Sequence, residues 1–126
     1  MSLQRINYKE IGLPLGPYTH AVIHQDVLYT SGMSAFGTER QSGSISEQAE
    51  EIFSQLKLIC ERQGTSLKNL IKVTLFVTHL DDMQVLRDAL LGIYVDHIPA
   101  SSLIKVDALF ADELKIEIEA IIALYG

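Results

Sequence analysis

The stretch from Leu114 to Tyr125 constrains this chain most. From Leu114 to Tyr125, side chains alternate strictly: Leu114, Ile116, Ile118, Ala120, Ile122 and Leu124 on one side, Lys115, Glu117, Glu119, Ile121, Ala123 and Tyr125 on the other. A period of two specifies a strand over Leu114–Leu124 with one fully apolar face, which the fold has to cover. Two amphipathic segments can do so. In the first, Ala49, Ile52, Phe53, Leu56, Ile59 and Cys60 recur at helical spacing opposite Glu50, Glu51, Gln55, Lys57, Glu61 and Arg62. Ser44 and Glu47 have the spacing of a capping box, and Gly64 supplies a stop. The second starts near Asp81 and carries Met83, Leu86, Leu90, Ile93 and Tyr94 as its buried stripe, with Pro99 preventing continuation beyond His97.

Further strands are expected at His20–Ile23, Val27–Thr30, Ile71–Thr78 and Ser101–Ala108, and a weaker one at Gln4–Tyr8. The order is then β-β-β-α-β-α-β-β, an α+β chain with two helices laid on one face of a mixed sheet. The other face is not purely polar. Ile121 and Ala123 stand among the acids of the last strand, and Phe76 shares its side with Thr74 and Thr78. With both helices already used, another subunit is the expected cover, packed across a symmetric interface.

Size and charge exclude several classes of function. At 126 residues the chain suffices for one core and one domain, residues 1–126, without disulfide or metal. Sixteen Asp and Glu against ten Lys and Arg leave a net charge of −6, with a pI near 5.1. Nucleic acid is therefore a poor partner, because phosphate binding relies on clustered cations. Cys60 is alone and falls on the apolar stripe of the first helix, so neither an internal bridge nor an exposed nucleophile is expected. The N-terminus has no apolar secretory core, and no apolar run approaches a membrane span. A cytoplasmic setting is the expectation. His20 and His24, four residues apart on a regular strand, would lie about 13 Å from each other, too far to share a metal ion.

Five segments, taken together, carry a family resemblance: Gly16-Pro17-Tyr18-Thr19-His20-Ala21, Tyr29-Thr30-Ser31-Gly32, Ile71 to Val77, Pro99-Ala100-Ser101-Ser102, and Lys115 to Ala120. In this order and spacing, from about Ile11 to Leu124, the chain resembles the Rid family, also called YjgF. The resemblance implies a chorismate-mutase-like fold, a homotrimer, and a small-molecule cleft at each subunit interface. Members of the RidA type hydrolyse reactive imines and enamines derived from amino acids to keto acid and ammonia, without metal or cofactor. Glu119 is taken as the retained acid that would position water, with Tyr18, Ser31 and Gly32 also retained around the ligand.

One departure outweighs these agreements. Where the family pattern has an arginine after Pro-Ala, this chain has Ser101. A guanidinium can bond both oxygens of a substrate carboxylate, and charge-assisted bonds are worth roughly 1.5–3 kcal/mol each, so its loss would cost about two orders of magnitude in recognition. Met33 replaces a glutamine, Arg87 an asparagine on the second helix, and Leu103 a cysteine. Changes at several pocket positions point to a changed ligand. Arg87 is a candidate substitute cation, whereas Lys105, four residues along the strand from Ser101, would lie about 13 Å away. The leading expectation is a small-metabolite-binding protein of this family whose usual anchor is lost. The alternative is an imine or enamine deaminase of altered specificity, and the acidic charge argues against a ribonuclease.

Overall fold

The computed structural model describes residues 3–125. Strand β1 (Gln4–Ile6) leads through a short 3-10 turn to the hairpin of β2 (Ala21–His24) and β3 (Val27–Thr30). Helix α1 (Ile45–Arg62) follows, then β4 (Leu70–Val77), α2 (Met83–Tyr94), β5 (Ala100–Lys105) and β6 (Ile116–Ala123). The element order is the one the periodicity predicts. Boundaries move by a few residues: β1 stops at Ile6, β5 at Lys105, and α2 begins at Met83.

The six strands form one sheet in the order β1-β2-β3-β6-β4-β5. Only β4 and β5 run parallel, with α2 as the crossover that a parallel pair requires. The strand with the strictest alternation, β6, sits between β3 and β4 and thus occupies the interior of the sheet. Its residues Ile116, Ile118, Ala120 and Ile122 are buried under α1, and Val73, Leu75 and Val77 of β4 are buried in the same core. From the other side come Ile45, Ala49, Ile52, Phe53, Leu56 and Ile59 of α1, and Leu86 and Leu90 of α2.

Local chemistry fixes the helix ends. The Ser44 hydroxyl accepts the Glu47 N–H at 3.2 Å and the Glu47 carboxylate accepts the Ser44 N–H at 2.8 Å, closing the capping box. Gly64, with φ of 72°, turns the chain away after Gln63. α2 ends earlier than Pro99 alone would impose, because Val95 adopts a φ of 56° immediately after Tyr94. Cys60 is buried in the core, and burial together with the Glu61 charge pushes its thiol up to about 11.

Gln48 is the one fully buried polar side chain of α1 among the described residues. Its amide nitrogen donates to the carbonyls of Gln41, Gly43 and Glu113 at 2.9–3.1 Å, and its amide oxygen accepts the Lys115 N–H at 2.8 Å. One side chain thereby ties the loop before α1 to the start of β6, satisfying backbone groups that burial would otherwise strand.

Candidate functional site

The register divides the sheet into two faces. On the side away from the helices, Lys72 pairs with Ile121, Thr74 with Glu119 and Phe76 with Glu117, while Tyr29 lies against Ile121 and Val22 against Tyr29. Acids, hydroxyls and apolar groups are interleaved there, as the second side of β6 predicts. Ser102 and Ile104 join this face from β5; Ser101 and Leu103, in register with the buried Val73 and Leu75, point to the helix side.

The β3–β6 ladder breaks after Tyr29. The Thr30 hydroxyl takes the Ala120 N–H at 2.9 Å, and pairing resumes as an isolated bridge between Met33 and Ile118, with bonds of 2.8 and 2.9 Å. Met33, expected among the altered pocket positions, is buried with the core and lines only the inner end of the cleft. The break releases Ser31 and Gly32 from the sheet. Ser31 is held by its N–H to the His20 carbonyl at 3.0 Å and by its hydroxyl to the Thr19 carbonyl at 2.6 Å. Among the described residues no acceptor takes the Gly32 N–H.

Beside Gly32 lies a carboxylate. A Cβ at Gly32 would collide with the Glu117 side chain, so the absence of one is what lets this acid lean against the backbone. Desolvation first, and the charge of Glu119 second, push the Glu117 carboxyl above its ordinary value. Tyr18 borders the same space: its N–H bonds the Gly16 carbonyl at 2.9 Å and its phenol oxygen accepts the Leu15 N–H at 3.2 Å, folding the ring onto its own loop.

These residues line a cleft with two lobes. The inner lobe, about 80 Å³, is bounded by Tyr18, His20, Ser31, Gly32, Met33 and Gln55 among others. The outer lobe, about 450 Å³, adds Pro17, Phe110 and Glu117 and shares Leu15, Tyr18, Ser31, Gly32, Ser34 and Phe36. Phe36 and Phe110 meet edge to face with ring centres 4.8 Å apart. The buried His20 accepts the Tyr8 N–H on Nδ1 at 2.9 Å, and burial lowers its pKa, so it faces the inner lobe as a neutral ring.

The structure thus brings together Tyr18, Ser31 and Gly32 and sets the other expected residues apart. Glu119 is exposed and lies in a separate hollow with Tyr29, Thr30, Lys72 and Thr74. The acid at the cleft is Glu117, not Glu119. Both stand on one face of β6, and alternation cannot choose between them; the position of the Met33–Ile118 bridge does. Ser101 and Leu103 lie exposed on the edge strand β5, and Arg87 is exposed on α2; none of the three borders either lobe. Phe36 and Phe110 were not foreseen, since 74 positions separate them and neither belongs to a periodic segment.

With this geometry in view, the profile of the family described as endoribonuclease L-PSP matches residues 10–124. The chain belongs to the Rid, or YjgF, family. It is 28% identical over 114 residues to a 2-iminobutanoate/2-iminopropanoate deaminase of Dermatophagoides farinae, covering 88% of both chains. To the RutC family protein y4sK of Sinorhizobium fredii it is 33% identical over 113 residues, or 87% of this chain and 89% of that one. The crystal structure of the E. coli YjgF gene product superposes with a TM-score of 0.84 at 26% identity, covering 95% and 98% of the two chains. The α+β architecture, with two helices on one face of a mixed sheet, is that of the Rid fold. Within the described residues no helix is long and apolar enough to cross a membrane.

Proposed function

We propose that this Rid protein takes up a small organic molecule in the cleft between Tyr18, Gly32, Glu117 and the Phe36–Phe110 pair, and that the usual amino-acid-derived imine is not its preferred ligand. The observation that carries the reading is the Glu117 carboxyl leaning on Gly32 at the mouth of a two-lobed cleft. The missing guanidinium at Ser101 supports the change of ligand.

The working unit is a homotrimer whose neighbouring copies complete each cleft. Supporting this, every residue of the edge strand β5 is exposed, including Leu103 and Ile104, and the open sheet face carries Tyr29 and the half-buried Phe76 and Ile121. An unpaired edge and an apolar face of this kind call for cover. In such an assembly Arg87, Ser101 and Leu103 would approach the cleft of the next copy.

A second reading, hydrolysis of an imine of altered structure, is favoured by the raised proton affinity of Glu117. Water adds to the carbon of the C=N bond, the nitrogen gains a proton, and cleavage of the C–N bond releases ammonia and a carbonyl compound. A carboxyl that holds its proton more tightly than usual can take one from water and return it to nitrogen. Its relative in Dermatophagoides farinae is named for this kind of reaction on 2-iminobutanoate and 2-iminopropanoate.

The two readings separate in one assay. Imines generated in situ are mixed with the protein and their decay compared with buffer, Glu117→Gln and Ser101→Arg. Acceleration lost in Glu117→Gln establishes the hydrolase. Decay equal to buffer, with gain of activity in Ser101→Arg, establishes a binding protein with a lost anchor. Acceleration that survives Glu117→Gln removes Glu117 from both.

A further inference from the structure

The charge and shape of the cleft narrow its ligand further, on the reading that the cleft is the ligand site. Among the described residues, the only charged side chain bordering either lobe is Glu117, an anion when ionised; His20 is a neutral ring, and the remaining borders are hydroxyls, amides, aromatics and aliphatic groups. The outer lobe, at about 450 Å³, has room for a six-membered ring with a short chain, and its walls are Leu15, Pro17, Tyr18, Phe36 and Phe110. A carboxylate entering here would meet Glu117 with no cation of the same lobe to offset it, and like charges at short range in a partly desolvated site repel strongly. A protonated nitrogen would find the reverse: an opposite charge at Glu117 and aromatic rings, whose faces attract cations.

We infer that the cleft selects an amine or protonated imine that carries an aryl or branched alkyl group and no carboxylate. The nitrogen lies at Glu117, the hydrophobic group lies against the Phe36–Phe110 pair, and the Gly32 N–H can donate to a water or carbonyl oxygen at the reacting carbon. This assigns a role to the loss at Ser101, since a ligand without a carboxylate has no use for a guanidinium. Of the cations outside the lobes, two are candidate anchors for a carboxylate. Arg5 borders an open hollow across the Gly16–Tyr18 loop, and Arg87 is on α2. They are the groups that could defeat the inference.

The test is a titration of the purified full chain at pH 7.5, by calorimetry, with two probes of the same shape, 2-phenylethylammonium and 3-phenylpropanoate. The ammonium is expected to bind at least about tenfold more tightly, the ratio a single charge-assisted bond provides. That advantage should collapse in Glu117→Gln, and Phe110→Ala, at a side chain 65% exposed and so not needed for folding, should weaken the ammonium while leaving the thermal midpoint unchanged. Tighter binding of 3-phenylpropanoate overturns the inference; loss of that binding in Arg5→Ala or Arg87→Ala would then name the anchor. If neither probe binds although imine decay is still accelerated through Glu117, the ligand class is wrong and the cleft stands. If neither binds and no decay is accelerated, both fail.

Discussion

The two faces of the sheet are built from the same strands under opposite rules. On the helix side β6 offers Ile116, Ile118, Ala120 and Ile122, all buried by the chain's own helices. On the open side the alternating positions read Glu117, Glu119, Ile121 and Ala123, of which Glu119 is exposed and the others half-buried. Closing the first face fixes the fold, and nothing about it identifies a ligand. The second face is left with groups that the chain itself does not cover, and it is there that the cleft of Tyr18, Gly32 and Glu117 opens, where the β3–β6 ladder is interrupted.

The sharpest way to break this comparison is at its hinge. Gln48→Leu would leave the Gln41 and Glu113 carbonyls and the Lys115 N–H without a partner at the junction of α1 and β6, while the Gly43 carbonyl keeps the Lys115 ammonium at 2.7 Å. The expected loss is about 4 kcal/mol in a urea titration; a loss below about 1 kcal/mol would mean that water replaces the amide at no cost. Next comes the contrast between the faces themselves. Ile118→Ala, on the helix side, should cost about 3 kcal/mol through the cavity it leaves. Ile121→Ala, three residues along on the open side, should cost less than about 1 kcal/mol in the isolated chain. In the proposed trimer it should instead shift the assembly towards smaller species on sedimentation. Equal costs with no change in assembly would erase the distinction.

Much of this was legible in the sequence, for definite reasons. Long periodic segments declare themselves, so α1, α2 and β6 were readable, and the Ser44–Glu47 box marked its helix start to the residue. What periodicity cannot carry is the choice between groups that share a face. Glu117 and Glu119 are two residues apart on one strand, and the family resemblance alone pointed to Glu119, which lies outside this cleft. The decision depends on a bridge between Met33 and Ile118, a contact 85 positions apart in the chain. Gln48 was hidden likewise, because a glutamine beside an apolar stripe looks like any solvated helix residue. Tyr8, read as the end of the first strand, belongs to the core and caps His20 with its N–H.

Smaller effects sharpen the open side. The raised Glu117 carboxyl means that the folded chain binds this proton more tightly than the unfolded one. Stability therefore falls as pH rises from about the unfolded carboxylate value, near 4.5, through the folded one. Ionised Glu117 destabilises the fold at neutral pH. Glu117→Gln should raise the thermal midpoint by about 2 °C at pH 7, with the gain disappearing near pH 4 where the native acid is also neutral; a midpoint that falls at pH 7 would show that the carboxylate is stabilised by its surroundings. Glu119→Gln, at an exposed position, should move the midpoint by less than about 1 °C.

The hydrolytic reading of the cleft depends on Glu117 holding its proton more tightly than usual, through desolvation and the charge of Glu119. Its side-chain carboxyl carbon can be followed by NMR across a pH titration, in the native chain and in Glu119→Gln. The expected midpoint lies above the ordinary value of 4.5 in the native chain and moves down when the neighbouring charge is removed. A Glu117 that titrates at or below 4.5, and is indifferent to Glu119, would contradict the account.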